Sequence, residues 1–212
     1  TSGSLTYYLR QYNESGTATA KATSTTGNFV KGDNKNNQVK VSVNGNKIQC
    51  YINDELILEH EADDVSTVAT GAIGLSAQRR ICTFDNLSVL PNELDPLYVQ
   101  DFSGTLEDLK AEGWCSTNMK YFHIDSTTGV LKSNQDPNVP YEGAETAWRT
   151  YLNMNANAQA SNWRNYTAEA TINLLYDYVT GQTGTGEVGL YVGTEAGATD
   201  FRNSFGFVIS MA

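Results

Sequence analysis

The stretch QVKVSVNGNKIQCYIND, residues 38–54, decides the fold class. Two runs in which apolar and polar residues alternate flank Asn44 and Gly45. Alternation of period two is typical of a strand with one buried face. Asn-Gly between two such runs predicts a two-residue type I′ turn, in which Asn44 and Gly45 both adopt positive φ. The stretch therefore predicts a β-hairpin.

Other turn signals separate alternating runs elsewhere in the chain. Thr128 and Gly129 lie between two short runs and predict a second hairpin. Asn53 and Asp54 predict a further reversal. Strands at intervals of about 8 to 12 residues, separated by such turns, are typical of a sandwich. The predicted fold class is therefore all-β, a two-sheet antiparallel sandwich.

One face of each predicted strand should be buried, because each sheet of a sandwich covers the core with one face. One short helix is predicted over residues 105–113, with Thr105 as its cap and Gly113 as its stop. The predicted core consists of Val41, Val43, Ile48, Ile52, Ile73, Leu75, Phe84, Leu87, Val89, Trp114, Trp163, Ile172, Leu190 and Phe207.

Composition excludes several classes of protein. The chain has 212 residues, a formal net charge of −10, 18% charged and 40% hydrophobic residues, which is typical of a globular protein. No cluster of Lys and Arg is present, so nucleic acid is not an expected partner. No apolar run is long enough to span a bilayer, so membrane insertion is not expected either.

Three cysteines, Cys50, Cys82 and Cys115, lack the spacing of a zinc or redox motif. Cys50 and Cys82 lie in alternating strand patterns, where a buried free thiol is the commoner outcome. A disulfide between these two residues is the alternative.

Catalytic motifs are weak. Residues 184–189 match GxGxxG, but a strand pattern follows where a phosphate-binding loop needs a helix. The sequence contains two histidines, His60 and His123, so few residues could act as the base of a Ser-His-Asp triad. Glycoside hydrolysis needs two carboxylates flanking the sugar bond. The best carboxylate candidates, at a strand end that favours a solvated edge, are Glu59, Glu61 and Asp63.

Two aspartates are candidate ligands for structural calcium, which prefers hard oxygen donors. Asp85 and Asp101 each interrupt an apolar strand pattern. The alternative for each is a hydrogen-bonded carboxylate at a strand end.

Aromatic residues next to polar ones are candidate sugar ligands. Sugars stack their CH faces on aromatic rings while polar side chains bond to their hydroxyls. The segments WRTY and YDY supply Trp148, Arg149, Tyr151, Tyr176 and Tyr178 as candidate ligand-binding residues. Core packing is the alternative explanation of such aromatic stripes.

The order of these motifs resembles concanavalin A-like lectin/glucanase domains of the laminin-G-like and glycosidase-accessory type. VKVSVNGNKIQCYINDELILE and GAIGLSAQRRICTFDNLSVL are similar to the closing half of such a domain. DFSGTLEDLKAEGW, STTGVLKSN, NWRNYTAEATINL and EVGLYV are similar to the opening half. The resemblance implies a jelly roll in reversed order, with the closing half in residues 1–90, a linker in 91–97 and the opening half in 98–212.

The resemblance implies glycans as ligands and a secreted or cell-surface location. The compact acidic cluster of the glucanases is missing, which favours a non-catalytic glycan-binding or accessory module over an enzyme. Two alternatives remain. One is a structural repeat of an adhesin or fibre, joined by strand complementation between neighbouring copies of the chain, and the other is a glycosidase.

The sequence begins in one strand pattern, SLTYYLRQY, and ends in another, SFGFVISMA. An unpaired strand exposes backbone groups that can pair with another chain, so we expect each half of the sandwich to find its complement. Pairing within one chain would give a closed, effectively circularly permuted monomer, with Leu5 to Gln11 lying near Phe205 to Ser210. Pairing between chains would give a swapped oligomer or an open fibre. Two independently folded fragments are the third arrangement.

Overall fold

Two antiparallel sheets account for most of the regular structure. A computed structural model describes residues 4–32, 35–63, 71–78, 81–91, 97–116, 119–133, 149–154, 156–174, 186–195 and 201–211, with only the backbone described at 149–151. The elements are β1 (Leu5–Tyr12), β2 (Ala18–Ser24), β3 (Asn37–Asn44), β4 (Lys47–Ile52), β5 (Glu55–Glu61), β6 (Ala72–Gln78), β7 (Cys82–Pro91), β8 (Tyr98–Gln100), α1 (Leu106–Ala111), β9 (Phe122–Asp125), β10 (Val130–Ser133), β11 (Arg149–Asn153), β12 (Tyr166–Leu174), β13 (Gly186–Thr194) and β14 (Phe205–Met211).

The strand order shows that each sheet contains strands from both the first and the second half of the chain. In the described residues, one sheet has six strands in the order β11-β6-β13-β14-β1-β2. The other has eight strands, in the order β5-β4-β3-β12-β7-β10-β9, with β8 also pairing with β7. The predicted all-β sandwich with two antiparallel sheets is therefore confirmed.

The first and last strands pair with each other. β1 runs antiparallel to β14, with Leu5 opposite Met211 and Gln11 opposite Phe205. β12 lies between β3 and β7, and β13 lies between β6 and β14. The expected proximity of the two ends is thus confirmed within one chain, and strands from both sides of the predicted linker build both sheets. The number of copies in solution stays a prediction.

The predicted linker joins neighbouring strands. Residues 92–96 lie outside the described part of the chain, but Pro91 ends β7 and Leu97 lies just before β8. The Leu97 amide donates to the Val89 carbonyl at 2.7 Å, and β8 continues antiparallel to β7. The connection therefore reverses the chain beside β7.

The core lies between the two sheets. All fourteen residues predicted for it are buried, from fully buried Ile52 to Trp163, which is 7% exposed. Tyr98 contacts the rings of both Trp114 and Trp163. Its hydroxyl accepts from Trp114 Nε1 at 2.9 Å and donates to the Glu112 carboxylate. The indole nitrogen of buried Trp114 and the hydroxyl of Tyr98 therefore have partners, as burial of polar groups requires.

The predicted hairpin turns are present, but the turn between β3 and β4 differs in type and position from the prediction. β3 ends at Asn44, which pairs with Lys47, so Gly45 and Asn46 form the loop. Gly45 has φ +60° and Asn46 is not among the residues with positive φ, which is the pattern of a type II′ turn. The predicted type I′ turn at Asn44 and Gly45 is therefore wrong, because the register places Asn44 inside the strand.

The turn between β4 and β5 has the conformation expected of type I′. Asn53 and Asp54 have φ of +49° and +64°. Both residue types tolerate this left-handed region better than most. The predicted reversal is confirmed, as is the hairpin of β9 and β10, whose loop ends at Gly129 with φ +67°.

Helix α1 begins and ends as predicted. The Thr105 side chain accepts from the Asp108 amide at 3.2 Å, while the Asp108 carboxylate accepts from the Thr105 amide at 2.8 Å. This capping box satisfies two amides that the first turn leaves without partners. Gly113 follows the C-cap with φ +98°, a conformation that favours glycine.

None of the three cysteines forms a disulfide bond. Cys50 and Cys82 are fully buried. Burial raises the pKa of the Cys50 thiol, and it raises that of Cys82 to about 12 although a hydrogen bond from Ser133 opposes it. The predicted buried thiols at Cys50 and Cys82 are therefore confirmed, and the alternative disulfide is not formed. In the described part of the chain, no helix is long and apolar enough to cross a membrane.

Candidate functional site

A second group of aromatic side chains lies on the outer face of the six-stranded sheet. Along β1, Leu9 faces the core, so Tyr8 and Arg10 face outward. On β13 and β14 the outward positions are Tyr191 and Val208. We call this surface the outer face, and its defining residues are Tyr8, Arg10, Tyr12, Ser76, Glu187, Tyr191, Phe201 and Val208.

An ion pair crosses this face. Arg10 Nη1 and Nη2 donate to Glu187 Oε2 and Oε1, each at 2.8 Å. The two side chains are 18% and 16% exposed, so each keeps some contact with solvent. Burial opposes the charge of Arg10 more than any single partner favours it, but the hydrogen bonds and charge of Glu187, together with Tyr12, outweigh burial and raise the pKa of Arg10. A bidentate pair of this kind holds both groups in one plane.

The guanidinium also packs on an aromatic ring. Arg10 Cζ lies 4.6 Å from the centroid of the Tyr8 ring. Tyr8 is half-buried, and its register partner on β2, Thr23, is exposed. This corner of the outer face therefore offers an aromatic ring, a planar ion pair and a hydroxyl group to solvent.

A stack of two rings lies beside this corner, and its Tyr191 is in the same register row as Arg10. Tyr191 and Phe201 lie parallel, with centroids 3.6 Å apart and an interplanar angle of 11°. Glycines form the floor beneath them: a Cβ at Gly206 would lie 2.4 Å from the Tyr191 ring, and one at Gly74 would lie 2.7 Å from Phe201. The rings can lie flat on the sheet only because these positions lack side chains.

Hydroxyl groups link the stack to neighbouring strands. Ser76 Oγ donates to Tyr191 Oη at 3.2 Å, and Tyr12 Oη lies 3.3 Å from the same oxygen. Burial raises the pKa of Tyr191 well above its ordinary value. Tyr191 therefore stays neutral, and its hydroxyl serves to hold the ring in place.

Two of the five predicted sugar ligands fall in this sheet. Arg149 lies opposite Gln78 and Tyr151 opposite Ser76 in the register of β11 with β6. The row of Tyr151 continues through Ser76 to Tyr8 on β1, about 19 Å away at four strand spacings. The other three, Trp148, Tyr176 and Tyr178, lie outside the described residues.

Sequence reasoning missed the residues that define the outer face. In the sequence, Tyr8 and Arg10 belong only to a predicted strand, and Glu187 lies within the GxGxxG match. That match begins outside the described residues and runs into β13, so in the described part no helix follows it. The strand predicted there is confirmed.

The candidate catalytic carboxylates lie on a solvated edge. Glu59 is exposed, and its carboxylate accepts from Gln49 at 2.7 Å and pairs with Lys47 at 2.9 Å. The hydrogen bond from Lys47 lowers the pKa of Glu59. Glu61 accepts from Asn46 at 3.0 Å, and Asp63 is exposed. The prediction that these carboxylates lie on a solvated edge is therefore confirmed.

The two candidate calcium ligands bond to their own neighbours. Asp85 accepts from the Asn86 amide at 2.7 Å and Asp101 from the Ser103 amide at 3.0 Å. Asp101 also lines a cavity of about 310 Å³ with Asp108 and other residues of α1. Within the described ranges, no group of three or more His, Cys, Asp or Glu side chains could hold a metal ion. Calcium at Asp85 or Asp101 stays a prediction.

Chelation tests the calcium prediction. An ion that binds only the native state raises stability, by about 2.7 kcal/mol at a concentration about 100 times its Kd. We therefore expect a higher midpoint of thermal unfolding in millimolar calcium than in chelator, and a smaller difference in Asp85→Asn. Magnesium at the same concentration is the control. Equal midpoints in calcium and chelator would contradict the prediction.

No protein-family model matches the chain, and no curated protein matches it.

Proposed function

We propose that the protein is a non-catalytic carbohydrate-binding module that holds neutral oligosaccharides on the outer face of its six-stranded sheet. The proposal includes a concanavalin A-like jelly roll in permuted order and a secreted or cell-surface location, which the sequence resemblance supports. The observation that carries it is the partly exposed Tyr8 ring beside the Arg10–Glu187 pair.

Each component of that corner suits a sugar. An aromatic ring packs against the apolar CH face of a pyranose. Arg10 has further N–H groups, and the Glu187 oxygens have further lone pairs, so the pair can both donate to and accept from hydroxyl groups. The ion pair holds both side chains in place before the ligand arrives, which reduces the entropy lost on binding.

Charge supports a neutral ligand. The chain carries a formal charge of −10, and a net negative charge repels uronic acids and sulfated glycans. The one guanidinium of the corner is already neutralised by Glu187. A neutral oligosaccharide is not repelled, and its hydroxyl groups can still form hydrogen bonds with the polar groups of the corner.

The same geometry argues against glycoside hydrolysis. Hydrolysis needs one carboxylate as a proton donor and a second across the sugar bond. Among the described strand residues of the outer face, Glu187 is the carboxylate, and both of its oxygens accept from Arg10. We therefore assign this face to binding.

Affinity electrophoresis in gels containing neutral polysaccharides tests the proposal. The panel comprises laminarin, hydroxyethyl cellulose, xylan, galactomannan and glycogen. We expect at least one polymer to retard the protein and Tyr8→Ala to abolish most of the retardation, because the stacking ring is lost. Tyr8→Phe, which keeps the ring, should be retarded like the original protein. Absence of retardation in every gel, or full retardation of Tyr8→Ala, would contradict the proposal.

A further inference from the structure

A groove crosses the outer surface of the eight-stranded sheet, on the side of the sandwich opposite the face described above. Its volume is about 440 Å³, within the range of roughly 300–1,000 Å³ typical of small-molecule sites. We call it the Tyr51 groove, and its principal lining residues are Lys40, Ser42, Tyr51, Leu90, Thr167 and Glu169.

Strand register arranges these residues in two adjacent rows across the sheet. Tyr51 pairs with Lys40, and Lys40 pairs with Glu169. In the next row Ser42 pairs with Thr167, and Thr167 pairs with Leu90. Side chains that are two residues apart on a strand share a face. The groove therefore runs perpendicular to the strands, which suits an extended ligand lying across them.

The first row supplies an aromatic platform and two charged groups of opposite sign. Tyr51 is half-buried, and Lys40 Nζ lies 5.1 Å from the centroid of its ring. Lys40 also pairs with Asp54 at 2.9 Å, and the Asp54 side chain is 76% exposed. Glu169 Oε1 accepts from Gln38 at 2.6 Å. Lys40 is therefore held next to the ring, and Glu169 is held two strands away in the same row.

The second row supplies hydroxyl groups and an apolar contact. Thr167 Oγ1 donates to Ser42 Oγ at 3.1 Å, and each hydroxyl oxygen keeps lone pairs for a ligand. Leu90 is 40% exposed at the end of the row. Ring, hydroxyls, paired charges and an apolar end together match a molecule with alternating CH and OH surfaces.

We propose that the Tyr51 groove is a second binding site for a neutral oligosaccharide. The proposal rests on the proposed function, since it assigns the same ligand class to a second face. Lys40 is paired with Asp54, and the remaining carboxylate of Glu169 accepts from Gln38. The described lining residues of the groove therefore carry no unpaired positive charge that would attract an anionic ligand. Polyanionic glycans are again repelled by the formal net charge of −10.

The position of the groove gives the second site a distinct consequence. The two sheets of a sandwich pack against each other through their inner faces, so their outer faces point in opposite directions. A short oligosaccharide cannot occupy both faces at once, so each face would bind a separate sugar chain. A single molecule of the protein would therefore join two polysaccharide chains, and its retention on a polymer would gain from two attachments.

Calorimetric titration with neutral hexasaccharides tests the inference. The probes are cellohexaose, laminarihexaose, xylohexaose and mannohexaose. We expect a stoichiometry of two for at least one probe, falling to one in Tyr51→Ala and to one in Tyr8→Ala. Tyr51→Phe keeps the ring and should keep two sites. Unchanged thermal midpoints of the variants show that the fold is intact, which is expected because Tyr51 lies on the outer surface.

The outcomes separate this inference from the proposed function. A stoichiometry of one, lost in Tyr8→Ala and unchanged in Tyr51→Ala, would overturn the second site and leave the first. A stoichiometry of one that is lost only in Tyr51→Ala would overturn the assignment to the outer face and the joining of two chains. Absence of binding for all four hexasaccharides would overturn the second site, whereas the proposed function is decided separately by the polysaccharide gels.

Discussion

Replacement of Ile52 with alanine should lower the free energy of unfolding by about 2 to 5 kcal/mol. Ile52 is fully buried on β4, opposite Val39, in the core between the two sheets. Removing its side chain loses buried apolar contacts and leaves a cavity that the neighbouring strands fill only partly. Denaturant unfolding measures the change.

Val99→Ala is the control for this substitution. Val99 also lies on a strand, but it is 60% exposed, so its loss should change the free energy of unfolding by no more than about 0.5 kcal/mol. A cost for Ile52→Ala as small as that of the control would place Ile52 outside the core. Phe207→Ala, in the last strand, should destabilise the same single transition, because both residues belong to one core.

Replacement of Arg10 with alanine should weaken oligosaccharide binding at least about tenfold, since it removes a charged partner of the ligand. It should also lower the free energy of unfolding by about 1 to 3 kcal/mol, because Glu187 is then left mostly buried without its partner. The two effects have different causes. Titration calorimetry at a temperature well below unfolding measures the first, and denaturant unfolding the second.

A double-mutant cycle with Glu187→Gln separates the ion pair from other contributions. If the pair is coupled as the geometry indicates, Arg10→Ala together with Glu187→Gln should cost less stability than the sum of the single changes. Arg10→Lys is the matched variant for binding, because lysine keeps the charge and loses the planar bidentate contact. Additive stability effects, with binding unchanged in Arg10→Ala, would contradict the role assigned to this pair.

Signals from neighbouring residues in the sequence were sufficient to predict the hairpins and the helix. The alternating runs on both sides of Gly45 and the cap at Thr105 depend on neighbouring residues, and those elements formed where the sequence predicted them. The turn type was less predictable. Whether Asn44 belongs to the turn or to β3 depends on the pairing register, which the turn sequence alone does not determine.

Strand β2 gave no signal in the sequence. Its residues, ATAKATS, are mostly small or polar, and most of them are exposed at the edge of the six-stranded sheet. A strand that buries little has no need of apolar alternation. Its pairing with β1 stabilises it instead, and that partner was not visible from residues 18–24 alone.

The outer face could not be assembled from the sequence because its parts are far apart in the chain. Arg10 and Glu187 are separated by 177 positions, and only the pairing of β1 with β14 and of β14 with β13 brings them together. One signal was present. In the sequence of β14, FGFVISM, apolar Val208 stands at an outward position, and the strand is buried along its whole length, whereas a sandwich strand with one solvated face alternates. Burial on both sides indicates a second apolar cluster outside the core.

Mapping of amide chemical shifts in the ¹⁵N-labelled protein, titrated with the neutral oligosaccharide that binds best, tests the outer-face site most directly. The proposed function predicts that the amides of Tyr8, Arg10 and Glu187 shift with a common saturation curve and that these shifts disappear in Tyr8→Ala but persist in Tyr8→Phe. Saturable binding that leaves those three amides unmoved, or that survives unchanged in Tyr8→Ala, would contradict it.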